Sequence, residues 1–249
     1  RSIARYIGLS MREAGEPTPG TARMTGSASA AEHLRAPGGN VYTGVLLTMA
    51  DSVAGLCAGL AALPGWVVST NLMLHTTPVN NPDTLQLEAQ VLRVGRNAVV
   101  TTVRIRTDTG ALIADGILTS AVLAPEGGPP DYPRPVALTA PPLTSADPSR
   151  WPEFLGTRAV DASTVAADIT PMLRNPWGIL HGGAIAALAD TAAEHLTGPG
   201  SRATDVTLHF LAPGRVGPVM ARAERIGTRG DGDLLRVEVA DAGANDRLM

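Results

Sequence analysis

Chemistry is most legible between Asn175 and Thr191, where the chain runs Asn-Pro-Trp-Gly-Ile-Leu-His-Gly-Gly-Ala-Ile-Ala-Ala-Leu-Ala-Asp-Thr. Gly182 and Gly183 open an apolar helix-forming run, so its first backbone N–H groups have no side chain in front of them. With the helix dipole behind them, those donors suit an anion or a carbonyl oxygen that gains charge. Asp190 falls eight residues further on, in otherwise apolar surroundings. A carboxylate in such a place costs energy unless it is paired, wetted or used. Each feature alone has a structural explanation, a glycine turn or an Asp bonded to a neighbouring element. A second carboxylate, Asp51, stands in a matching helix and tips the pair toward chemistry.

The match is a duplication. Sliding the chain by 139 residues lays His33–Ala54 on Met172–Ala193 without a gap. Eight of those 22 positions are identical, among them Pro37/Pro176, Gly39/Gly178, Gly44/Gly183 and Asp51/Asp190. Further on the offset drops by a few residues, and Pro78 meets Pro213 while Arg93-Val94-Gly95 meets Arg225-Ile226-Gly227. Chance apolar similarity would not keep Gly, Pro and Asp in one order, so two copies of one unit are expected.

These residues must be positioned by a few repeated elements. Tyr42–Ala62 is apolar all round and lacks proline, which predicts a buried helix ending before Pro64. Strands are expected at Val67–Thr77, Thr84–Val94, Ala98–Thr107 and Ala111–Leu123, from period-two alternation and β-branched content. The second copy offers a helix over Gly183–Leu196 and strands near Arg202–Leu211, Pro218–Arg229 and Leu234–Asp241. One more strand precedes each helix, near Ala22–Ala31 and Arg158–Ile169. Gly230-Asp231-Gly232 has the chemistry of a tight turn. Nine of the 20 prolines fall between Pro125 and Pro152, which reads as an extended linker. The expected organisation is therefore unit one at 1–124, linker at 125–152 and unit two at 153–249. The equivalent of the last strand of unit one has no counterpart before Met249.

Composition removes several classes. All 20 basic residues are arginine, so there is no lysine for a P-loop, a Schiff base or a Ser-Lys hydrolase. A formal charge of −3 lacks the basic excess that nucleic-acid binding needs. The single cysteine, Cys57, excludes an internal disulfide framework and reads as a buried, inert thiol. The five histidines show no metal-ligand spacing. No G-x-S-x-G elbow supports a serine hydrolase. No apolar stretch approaches the length of a membrane span, and a cytoplasmic location is the expectation.

His181-Gly182-Gly183 followed by Leu188-Ala189-Asp190-Thr191 resembles the helix signature of hotdog-fold acyl-CoA thioesterases of the PaaI-like type. Leu208-His209-Phe210-Leu211-Ala212-Pro213 is similar to that family's following strand. The resemblance implies an α+β double hotdog, two antiparallel sheets each wrapped around a central helix, with the tandem standing in for a dimer. It implies hydrolysis of an acyl-CoA, with CoA as part of the substrate and no separate cofactor. It further implies that the Gly182 N–H and Asn175 hold the thioester carbonyl while a helix carboxylate activates water or attacks. An Asp eight residues along lies roughly 12 Å from its own helix start, too far to serve a carbonyl held there. The composite site should then pair Asn175 and Gly182 with Asp51, and the reciprocal one should pair the first-copy loop with Asp190. There Tyr42, Thr43 and Ala36 replace His181, Gly182 and Asn175, so Asp51 is favoured over Asp190. Thr43 keeps its N–H but brings a side chain. Gly183 and His181 complete the substrate-binding loop, His181 as a brace rather than a base, and Ser69 is a candidate for holding water. Rival expectations are a hotdog hydratase or dehydratase, and a non-catalytic acyl-CoA-binding protein. A homo-oligomer is expected, without nucleic acid or membrane partners.

Overall fold

A computed structural model of the chain describes residues 2–16, 18, 20–124, 134–140, 148–230 and 232–249. Two helices carry the core. α2 (Thr43–Ala62) and α4 (Gly182–Thr197) lack β-branched runs and present Ala, Gly and Leu on nearly every side, so each is sunk in apolar surroundings. They cross where side chains vanish. A Cβ on Gly44 would meet the Ala187 Cα at 3.1 Å, and one on Gly183 would meet the Thr48 Cα at 2.6 Å. The Thr48 hydroxyl fills the crossing, donating to the Gly44 carbonyl at 2.7 Å and lying 3.0 Å from that of Gly183.

Around α2 wraps an antiparallel sheet that includes β1 (Ser10–Glu13), β2 (Arg23–Ser29), β3 (Trp66–Thr76), β4 (Thr84–Val94), β5 (Ala98–Thr107) and β6 (Leu112–Leu123). Inward positions such as Leu85, Leu87, Val103, Ile105, Leu72 and Leu74 alternate with outward polar ones and close on the helix. A smaller sheet holds β8 (Arg158–Ala159), β9 (Thr164–Ala167), β11 (Val219–Arg229), β12 (Gly232–Asp241) and β13 (Arg247–Leu248), with α4 against it. This is the expected double hotdog of α+β class.

Several elements depart from the expectations. The Arg158–Ile169 strand is split into the β8–β9 hairpin. The Arg202–Leu211 strand shortens to β10 (Asp205–His209) and joins the first sheet, pairing antiparallel with β3 from Asp205↔His75 to His209↔Asn71. The two repeats therefore share main-chain hydrogen bonds as well as a helix crossing. β13 pairs with the end of β12, the place where β6 begins against β5, so a two-residue strand in repeat two stands where β6 starts in repeat one. Within the proline-rich stretch, β7 (Ala137–Leu138) adds an edge strand to β1, and α3 (Trp151–Leu155) starts with Pro152 in its first turn. Prolines 125, 129, 130, 133, 141 and 142, and Asp231 in the expected turn, lie outside the described residues. Residues 3–7 and 10–13 also form regular elements. α1 (Ile3–Ile7) brings Tyr6 onto Phe154 of α3, with ring centroids 3.6 Å apart.

One expectation about length is corrected. α2 has 20 residues and a mean hydropathy of 1.7, long and apolar enough by composition to cross a membrane, yet 78% of that window is buried inside the protein. It is the core helix of repeat one. Cys57 on the same helix is fully buried, and burial pushes its thiol up to about 12, so it is inert as expected.

Candidate active site

The loop before each helix has the same build. Arg35 bridges Val41, and Arg174 bridges Leu180. Inside these bridges Ala36 donates to Asn40, and Asn175 to Ile179, both at 2.8 Å. The chain therefore enters both helices in one geometry, and the first-turn N–H groups point at the opposite repeat.

Asp51 occupies that position in front of α4. Its Oδ2 accepts from the Gly183 N–H at 2.8 Å, and its Oδ1 accepts from the Ser69 hydroxyl at 2.7 Å. Asp51 is 6% exposed, so both oxygens work in a sheltered place. A Cβ on Gly182 would lie 2.9 Å from Oδ2 and 3.0 Å from Oδ1, which shows how closely the bare glycine faces the carboxylate. The Gly182 N–H has no partner among the described residues. A free donor at a helix start therefore stands beside a carboxylate, with a hydroxyl on its far side.

Ser69 reaches Asp51 through an irregularity in β3. The pairing with β6 slips between Ser69 and Asn71, leaving Thr70 as an extra residue. A bulge reverses which side chains face the helix, so Ser69 turns inward although Leu72 and Leu74 are also inward.

His181 caps α4. Its Nδ1 lies 3.0 Å from the Gly183 nitrogen and 3.2 Å from the Asp51 Oδ2. A neutral Nδ1 accepts from Gly183, whereas a protonated one donates to Asp51, and one nitrogen does only one of these at a time. Asn175 uses its Oδ1 on the loop itself, accepting from the Trp177 N–H at 3.0 Å and the Ile179 N–H at 3.3 Å. Only its NH2 end remains for a substrate carbonyl. The Gly183 N–H is likewise taken, by Asp51, which leaves Gly182 as the open donor.

Asp190 makes the mirror-image contact. Its Oδ2 accepts from the Gly44 N–H at 2.7 Å. The surroundings differ. Thr43 places its hydroxyl on the Ala203 carbonyl at 3.2 Å and its Cβ where Gly182 has none. The recess in front of Asp190 is lined by Tyr42, Thr43, Glu194, Ser201 and Arg202, among others. Burial raises the Asp190 carboxyl to about 7, against the lowering effect of the Gly44 N–H and with a further push from Glu194.

Residues 38–114 match the model of the thioesterase superfamily, and residues 172–243 match that of the acyl-CoA thioesterase N-terminal domain. The chain belongs to the thioesterase superfamily. As a thioester hydrolase it carries one matched unit in each repeat, and the matches span both helix starts and both carboxylates. Among solved structures, a thioesterase of Haemophilus influenzae is 20% identical, with 49% of this chain and 83% of that one covered and a TM-score of 0.45. The Escherichia coli PaaI protein from the phenylacetic acid degradation operon is 16% identical over 49% and 83%, with a TM-score of 0.42. A hypothetical thioesterase protein from Streptococcus pneumoniae, with coenzyme A, is 19% identical over 46% and 86%, at 0.40. Comparison with curated proteins gives no match.

Sequence reasoning named both carboxylates, Gly182 and Ser69. It missed the aromatic contact beside them, in which Trp177 of the second-repeat loop meets Trp66 of β3 edge to face with centroids 4.4 Å apart. The single available signal was that both tryptophans flank glycines near the repeated motifs.

Proposed function

We propose that this thioesterase hydrolyses an acyl-CoA at the Asp51 site. The observation that carries this is the unpartnered Gly182 N–H beside the Asp51 carboxylate, each supplied by a different repeat. The thioester carbonyl oxygen would sit on the Gly182 N–H at the positive end of α4, where developing charge is stabilised. Asp51 takes a proton from a water that adds to the carbonyl carbon. The tetrahedral adduct then collapses, the C–S bond breaks, and the thiolate of CoA takes up a proton. Donors already hold both Asp51 oxygens, so a water placed by Ser69 fits this role better than direct attack through an anhydride. Water is the only co-reactant, and the chemistry calls for no cofactor.

The reciprocal site keeps its carboxylate, its N–H and a recess in front of them, but Thr43 places a side chain there where Gly182 has none. Association into a homo-oligomer belongs to the same proposal, supported by exposed Leu211 and Val216 in the connection between β10 and β11. The test is thiol release from a panel of short, long and aromatic acyl-CoAs, with enoyl-CoA absorbance followed in parallel. Release from at least one member supports hydrolysis. Binding without release across the panel would reject it in favour of a non-catalytic protein, and loss of enoyl absorbance without release would favour a hydratase.

A further inference from the structure

The two repeats give each residue around one carboxylate a counterpart around the other, and the contrast shows what the Asp51 site is built to hold. The recess before Asp190 is lined by Gly38, Asn40, Glu194, Ser201 and Arg202, besides the helix-start residues. The 139-residue offset makes Trp177, Ile179 and Gly55 the counterparts of Gly38, Asn40 and Glu194. Pro64-Gly65 aligns with Pro199-Gly200, which makes Trp66 and Val67 the counterparts of Ser201 and Arg202. Asn40, Glu194, Ser201 and Arg202 are therefore replaced by glycine or apolar residues on the Asp51 side, whereas Ala36 and Tyr42, at the helix start, give way to Asn175 and His181.

Three observations place these counterparts together. Gly55 lies one helical turn beyond Asp51, on the same face of α2. A Cβ there would meet only the Leu118 Cδ2, at 4.0 Å, so the space beside it is open. Val67 approaches α2 one turn further on, since a Cβ on Gly59 would lie 3.7 Å from its Cγ2. Trp66 and Trp177 then meet at 4.4 Å, one from each repeat, and close the space between β3 and the loop before α4. The Trp66 indole nitrogen is buried there and has no hydrogen-bond partner among the described residues.

We propose that Trp66 and Trp177 form the end wall of an apolar acyl recess that runs along Gly55 from Asp51, and that this wall sets the length of the acyl chain accepted. The inference rests on the assignment of hydrolysis to the Asp51 site. It names the substrate class as thioesters of apolar acyl chains. Acyl groups with a free carboxylate or amine are disfavoured, because Gly55 and Val67 stand where Glu194 and Arg202 would have met such groups. Removing the wall lengthens the acceptable chain, and filling the floor shortens it.

The test is the chain-length profile of kcat/KM on straight-chain acyl-CoAs, measured for the wild type, Trp177→Gly, Trp66→Ser and Gly55→Val. The first two substitutions install the residues of the other repeat. The third adds a side chain where the space is open and the fold is not strained, so it serves if an aromatic variant fails to fold. Trp177→Gly and Trp66→Ser should raise the ratio of long-chain to short-chain kcat/KM by at least about tenfold, and Gly55→Val should lower it by a similar factor. An unchanged ratio in folded variants that still release thiol would overturn the inference while leaving hydrolysis at Asp51 intact. A wild type that releases no thiol from any acyl-CoA would overturn both.

Discussion

Asp51 and Gly183 lie 132 residues apart in the chain, and the carboxylate of one accepts the N–H of the other at 2.8 Å. Asp190 and Gly44 repeat the contact in the opposite sense at 2.7 Å. The two helices thus exchange carboxyl groups, each resting on the positive start of its neighbour. The exchange explains why neither repeat holds a complete site. It also explains why a carboxylate survives in two otherwise apolar helices, since each is hydrogen-bonded to the other repeat at the helix crossing.

Gly182 should tolerate no side chain. Alanine is at home in the first turn of a helix, so Gly182→Ala should fold normally. Its Cβ would sit 2.9 Å from the Asp51 Oδ2, inside contact distance, and force the carboxylate from its place. We expect kcat/KM for thiol release to fall by roughly 100-fold with an unchanged melting temperature. Near-normal turnover would mean that the carboxylate is not used where it now stands.

Gly183 fails differently. A Cβ there would lie 2.6 Å from the Thr48 Cα, which is backbone of the other helix and cannot swing aside. Gly183→Ala should therefore cost stability, about 1–3 kcal/mol in urea unfolding, as the helices are pushed apart. An unfolding midpoint equal to that of the wild type would show that the crossing has slack.

The contrast between these two glycines shows what could be read in advance. With the carbonyl held at Gly182, as the family resemblance implies, a helix rise of about 1.5 Å per residue led to pairing each carboxylate with the other repeat. α2, β4 and β5 were legible because their hydrophobic patterns are long and clean. The β10 strand was harder, because alternation identifies a strand but not the sheet it joins. α1 and β1 have counterparts in α3 and β8, but elements of two to five residues carry no hydrophobic pattern long enough to read. The occupied Oδ1 of Asn175 and the Trp66–Trp177 pair depend on loop geometry that no local pattern encodes. Ser69 was visible as a neighbour, but its aim depends on the extra residue at Thr70, which only strand pairing reveals.

Among the described residues, Asp51 is the one side chain that Ser69 hydrogen-bonds, at 2.7 Å. Ser69→Ala should lower kcat about 10- to 100-fold with KM little changed, because the hydroxyl positions water rather than substrate. A change in KM alone would assign Ser69 to substrate binding instead.

Asp190 should make stability depend on pH. Its carboxyl is raised to about 7 in the folded chain, while an unfolded Asp titrates near 4. Between these values the folded state binds the extra proton, so this group's contribution falls as pH rises from about 4 to 7 and levels off above. Asp190→Asn keeps an acceptor for the Gly44 N–H and removes the titration. The variant should gain stability relative to the wild type between pH 5 and pH 8, on the order of 2 kcal/mol in paired denaturant titrations. A difference that does not change with pH would contradict the assignment.

We propose that the Asp51 carboxylate, supplied by repeat one, does the hydrolysis at the helix start of repeat two. Thiol-release rates of Asp51→Asn and Asp190→Asn on one accepted acyl-CoA, at fixed pH, test it most directly. Asp51→Asn should lose at least about 100-fold in kcat, and Asp190→Asn should stay within a few-fold of the wild type. An inactive Asp190→Asn protein beside a fully active Asp51→Asn protein would move the chemistry to the other helix.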